Sequence, residues 1–177
     1  SIWDPLWPEP HLADRNVIMG LALNYGHMHF HWFVGSLRMS GYTGDIVLAT
    51  SPTIDDKLKA FLKEHRVITY PLYVKCKSKL QCSIQRWFTK IEGTLPMAII
   101  RHYLYLSWMQ HYSQDSLVMV LDFRDTVFQT EPFESVERLR RETGDELWLL
   151  GTYRDGTWDW VGTHIGRPDS FRYYVRK

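Results

Sequence analysis

The order of strand-like and helix-like segments predicts an α/β domain with a predominantly parallel central sheet and helices on both faces. Short apolar runs at Val17 to Leu23, Ile46 to Ala49, Val67 to Leu72 and Leu117 to Leu121 have the length and composition of buried strands. Stripes of apolar residues at helical spacing lie between them. Strands alternating with helices are the pattern of crossover-connected parallel sheets.

Each element has its own signal. After Val17 to Leu23, the residues Phe30, Phe33, Val34 and Leu37 share one face of a helix, which Gly41 to Gly44 ends. Asp45 leads into Ile46 to Ala49, and Pro52 stops that strand because proline cannot donate to a ladder. Ile54, Leu58, Phe61 and Leu62 form the next helical stripe, followed by Val67 to Leu72. From Lys75 to Gly93 the signal is poor, compatible with a substrate-facing excursion or with a helix containing Ile84, Trp87 and Phe88. Pro96 starts a helix with an apolar face of Ile99, Ile100, Tyr103, Leu104 and Trp108. Leu117 to Leu121 follows, then a charged helix carrying Phe133, Val136 and Leu139, ended by Gly144, and a further strand over Glu146 to Gly151.

Composition narrows the function. The 177 residues include 8 Trp, 10 Tyr and 8 Phe, enough large side chains for one substantial core with some left for a cleft or an interface. With 21 Lys plus Arg against 20 Asp plus Glu, the net charge of +1 gives no electrostatic footprint for nucleic acid. No run approaches the roughly 18 apolar residues of a membrane span, and residues 1–10 lack the basic region and apolar core of a signal peptide. Cys76 and Cys82 suit either a local disulfide or two reduced thiols.

The most informative residues follow the run Leu117 to Leu121. Asp122 and Asp125 stand where that strand leaves the sheet, with Arg124 between them. Carboxylates suit a divalent cation and a guanidinium matches phosphate oxygens; the bland alternative is a turn cap with solvated neighbours. His27, His29 and His31 fall just after the first strand. In a helix His27 and His31 share a face and His29 does not, so a structural or phosphate-facing role is favoured over a Zn²⁺ site. The glycines at 151, 156, 162 and 166 form no phosphate loop.

The stretch Asp122, Phe123, Arg124, Asp125, Thr126, Val127, Phe128, Gln129, Thr130, Glu131, Pro132 and Phe133 resembles a DxRD-F-Q-x-x-P-F pattern. It belongs to divergent plant and algal-type nucleotide-diphospho-sugar glycosyltransferases with a GT-A-type fold. The resemblance also takes in residues 17–22, 33–38 with 41–46, and 101–105, covering most of 17–150. It implies a GT-A-like (Rossmann-like) nucleotide-sugar-binding core, in part incomplete, over 17–155. An N-terminal extension would occupy 1–16 and an irregular aromatic-rich tail 156–177.

The resemblance implies hexosyl or pentosyl transfer from a nucleoside diphosphate sugar to an unidentified acceptor. Donor contacts would come from Asp122, Arg124, Arg101, Asn24 and His27, and a Mn²⁺ or Mg²⁺ ion would sit on Asp125 and Asp122. The two acids are three positions apart where the wider fold has them two apart, so coordination by both or by one stays open. No general base is nameable; Glu146, Asp155 and Asp159 are simpler as loop or cap residues. The alternative is a non-catalytic structural or binding subunit of a larger assembly, with Trp158, Trp160, Phe171, Tyr173 and Tyr174 packing on a partner protein or further residues. A Golgi or other secretory-pathway lumen follows from the first reading and an organellar assembly from the second.

Overall fold

In the computed structural model, the described residues are 14–78, 81–86, 89–90, 96–124, 126–144, 147–154 and 157–171. A six-stranded sheet organises them. Its strands are β1 (Val17–Ala22), β2 (Asp45–Thr50), β3 (Val67–Pro71), β7 (Val118–Leu121), β8 (Leu147–Arg154) and β9 (Thr157–Gly166), in the order β3-β2-β1-β7-β9-β8. The pairs β1·β2, β2·β3 and β1·β7 are parallel, and β9 runs antiparallel to both β7 and β8. The predominantly parallel sheet expected from the sequence is therefore present, with one reversed strand.

Strict alternation along the strands builds a core on each face. Val17, Met19, Val47, Ala49, Ile68, Tyr70, Val118 and Val120 meet α4 (Met97–Met109) through Ile100, Leu104 and Trp108. Ile18, Ile46, Leu48, Val67, Leu117, Met119 and Leu121 meet the helices of the other face. These are a helical segment running through α1 (His27–Phe30), a π turn (His31–Gly35) and α2 (Ser36–Met39), and then α3 (Asp56–Glu64). Because side chains alternate with period two, each central strand is apolar on both sides and reads as a continuous apolar run.

The helix ends follow local chemistry. Asp55 caps α3 by accepting the Leu58 N–H at 2.8 Å, with Asp56 in the first turn and Lys63 in the last, matching the helix dipole. On α5 (Glu134–Thr143), Glu134 and Glu137 open the helix, Arg140 and Arg141 close it, and Gly144 takes the left-handed conformation with φ 72°. Phe133 is buried before this helix and Val136 packs against the core, while the expected third member of that face, Leu139, is exposed.

Two segments differ from expectation. The described residues of the stretch expected to be a helix or a loose excursion form instead a three-stranded antiparallel sheet of β4 (Tyr73–Ser78), β5 (Gln81–Arg86) and β6 (Thr89–Lys90). Cys82 and Ile84 alternate with polar residues and turn into the core shared with α4. Cys76 faces Cys82 across β4 and β5, and the two form a disulfide. The second difference is at residues 157–166, expected to be irregular, which form β9 between β7 and β8. Phe171 is buried in the core, not presented to a partner; Tyr173 and Tyr174 and the side chains of Trp158 and Trp160 lie outside the description. Among the described residues no helix is long and apolar enough to cross a membrane.

Candidate functional site

The chain runs outward from β1 through β2 to β3 and then crosses back to β7 on the far side of β1, so the sheet has a switch point between β1 and β7. In open α/β sheets a crevice forms outside the carboxyl ends of the strands at such a point. Here a cleft of about 340 Å³ lies there, lined by Leu21, Tyr25, Met97, Ala98, Arg101, Asp122, Phe123 and Arg124. Its lining comes from the end of β1, the end of β7 and the first turns of α4.

Arg101 reaches from α4 to Asp122, the first residue after β7, and its Nη1 donates to Asp122 Oδ1 in an ion pair. Asp122 is held a second time through its backbone, where its carbonyl accepts the Thr126 hydroxyl at 2.7 Å. Arg124 is exposed at the rim. Met97 and Ala98 begin α4 after Pro96, which contributes no side-chain cap. The dipole of that 13-residue helix therefore presents its positive end at the cleft.

The other expected contacts serve the walls. Asn24 has φ 60°, a left-handed conformation asparagine tolerates better than most residues. Its N–H donates to Ser51 Oγ at 2.9 Å, and the Ser51 hydroxyl donates to Asn24 Oδ1 at 3.1 Å, which clasps the end of β1 to the end of β2. His27 Nε2 lies 2.7 Å from Asp55 Oδ2. That hydrogen bond, with the Leu58 N–H as the next cause, holds the Asp55 carboxyl below its ordinary value. His27 thus braces α1 against α3 and is not among the residues lining the cleft. His31 packs its ring on Phe61, centroids 4.0 Å apart.

Asp125, expected as a metal ligand, lies outside the described residues. The carboxylate of Asp122 is engaged by Arg101, and among the described residues no group of three or more His, Cys, Asp or Glu is placed to hold a metal ion. Positive charge at the cleft comes from Arg101 and Arg124.

Beside the cleft, Arg101 shares the lining of a small recess with His102, Tyr105, Val120, Leu121 and His164. The rings of His102 and His164 stand perpendicular with centroids 5.7 Å apart. Burial, then the neighbouring Arg101 and His164, lowers the His102 pKa to about 4, and burial and Arg101 lower that of His164. Burial likewise raises the Tyr105 hydroxyl. All three are neutral near pH 7, so Arg101 is the charged group on this side of the cleft.

Sequence reasoning missed Tyr25 and the two histidines beside Arg101. Tyr25 had a signal, an aromatic residue three positions beyond the end of a parallel strand. His102 and His164 had none, since 62 positions separate them and only the pairing of β9 with β7 brings them together.

No family model matches the chain, and no curated protein matches it. Similar solved structures include a 4-diphosphocytidyl-2C-methyl-D-erythritol synthase, at TM-score 0.48 and 10% identity over 92% of this chain and 79% of that one. The synthase of the same name from Anaerococcus prevotii DSM 20548 gives 0.45 and 10%, over 92% and 76%. A structure from Desulfovibrio desulfuricans G20 named as a nucleotide-diphospho-sugar transferase gives 0.44 and 13%, over 88% and 64%.

These findings correct the family expectation. No sequence comparison returns a glycosyltransferase, and the solved structures at TM-scores of 0.48 and 0.45 are synthases of a diphosphocytidyl compound. The GT-A assignment, hexosyl or pentosyl transfer, the nucleoside diphosphate sugar and its acceptor are withdrawn with it. The α/β class rests on the sheet order itself. At these TM-scores the likeness carries no argument about ligand or reaction.

Proposed function

We propose that this domain binds the phosphate group of a phosphorylated small molecule in the cleft between β1 and β7. The observation that carries the reading is the placement of Arg101, Arg124 and the N-terminus of α4 around one cleft at the sheet's switch point. Phosphate oxygens suit this lining for three reasons. Guanidinium groups donate paired hydrogen bonds to them, an uncapped helix start favours negative charge, and a half-enclosed site strengthens both relative to water.

Asp122 has a different part in this account. It fixes the Arg101 side chain across the cleft, and a phosphate competes with it for the guanidinium. The names of two similar structures include a diphosphocytidyl group, a phosphorylated compound of the class proposed; the reading rests on the cleft alone. Calorimetric titration of the protein with inorganic pyrophosphate tests it. Saturable binding with one site per chain is expected, and heats indistinguishable from dilution at millimolar pyrophosphate would overturn it.

A further inference from the structure

The cleft carries charged groups, Arg101, Asp122 and Arg124, beside apolar surface from Leu21, Tyr25, Met97 and Phe123. From Phe123 a run of rings continues outward. Phe123 and Tyr25 have centroids 5.6 Å apart, Tyr25 and His29 5.1 Å, and His29 and Trp32 5.8 Å. Exposure rises along it, from Phe123 at 2% through half-buried Tyr25 and His29 to Trp32 at 49%.

Core packing accounts for the run only in part: Tyr25 packs at the edge of the core, whereas His29 and Trp32 are not among its residues. Phe30 and Phe33, on the inward face of the same helical segment, already pack on Phe123 with centroids 4.8 Å away in both cases. Tyr25, His29 and Trp32 lie at spacings of four and three, a separate stripe that starts in the cleft and ends in solvent. Aromatic faces in that setting bind planar rings, because stacking removes apolar surface from water on both partners and tolerates any ring with a π face.

We infer that the ligand of this cleft carries a planar heterocyclic ring that stacks on Tyr25, with His29 and Trp32 extending the same surface. The inference rests on the phosphate reading above and narrows it: a phosphate group joined to a stacking ring is the chemistry of a nucleotide and not that of a sugar phosphate or free pyrophosphate. The cleft, at about 340 Å³, falls within the roughly 300–1,000 Å³ of small-molecule sites.

The test compares inorganic pyrophosphate with the 5′-diphosphates of adenosine, guanosine, cytidine and uridine, by calorimetry on the whole chain. At least one nucleoside diphosphate should bind about tenfold tighter than pyrophosphate, the gain expected of one stacked base. Tyr25→Leu should abolish that margin while leaving pyrophosphate affinity within about twofold, and Tyr25→Phe should keep it. Equal affinity for pyrophosphate and every nucleoside diphosphate would overturn the ring platform and leave the phosphate cleft standing. So would an equal loss for both ligands in Tyr25→Leu. Binding of neither ligand sinks the phosphate cleft, and the platform with it.

Discussion

Arg101 and Asp122, 21 residues apart in sequence, form an ion pair that ties the second turn of α4 to the end of β7. The pair closes one side of the switch-point cleft and sets up a competition. A ligand phosphate and the Asp122 carboxylate seek the same guanidinium, so the aspartate lowers anion affinity in return for a fixed arginine.

Asp122→Asn is therefore expected to leave pyrophosphate affinity unchanged or to raise it severalfold, in EDTA and in Mg²⁺ alike. Calorimetry under the two conditions checks this. A cation ligand at this position predicts the opposite, a loss of affinity confined to the magnesium titration.

Gly44 stands against its neighbours with no room for a side chain. A Cβ there would lie 2.4 Å from the Asn16 carbonyl oxygen and 2.5 Å from the Tyr42 hydroxyl oxygen. That hydroxyl donates to the Asn16 carbonyl at 2.7 Å, so both sides of the gap are fixed. Gly44→Ala should cost at least the roughly 1–3 kcal/mol of an overpacked site. Urea unfolding of the two proteins measures it, and equal midpoints would contradict the packing described.

The disulfide between Cys76 and Cys82 closes a loop with a sequence separation of 6 on the hairpin that packs beneath α4. Chain-entropy arguments give a loop of that size about 2 kcal/mol of stabilisation. The Cys76→Ser, Cys82→Ser double variant should lose about that much by urea unfolding, and the wild type should lose the same amount when reduced. Stability indifferent to reductant would count against the bond.

His102 makes stability depend on pH in a defined window. Its folded pKa, about 4, lies below the ordinary 6.5, so the unfolded chain binds the proton first as pH falls. The contribution is fully present above pH 6.5, is lost progressively on acidification towards pH 4, and is flat below that. Thermal melts of wild type and His102→Gln across this range should converge at the acid end relative to their difference at neutral pH.

The parallel strands were legible in the sequence because burial on both faces writes each as an unbroken apolar run. Val17, Ile46 and Leu117 all begin or lie in such runs, and Pro96 marked the start of α4 for a local reason. β4 to β6 were not legible, because the lysines at 75, 77 and 79 hide the alternation that Cys82 and Ile84 carry. β9 was missed for another reason: its glycines and polar residues read as a loop, and only pairing with both β7 and β8 makes it a strand. At the site, Asp122 and Arg101 were visible as charges beside a strand end and on a helix. Their ion pair was not, because it depends on α4 crossing the face of β7.

Removal of one arginine tests the central claim most directly. Arg101 lines the switch-point cleft, whereas Arg66 lies at the opposite end of the sheet, where a cavity is lined by Arg38, Gly41, His65 and Arg66. Arg101→Gln and Arg66→Gln lower the net charge equally, so any general attraction for anions falls equally in both. Pyrophosphate titrations in EDTA should show a loss of about tenfold or more for Arg101→Gln, the cost of a charge-assisted hydrogen bond, and no change for Arg66→Gln. Equal losses in the two variants, or none in Arg101→Gln, would contradict a phosphate site between β1 and β7.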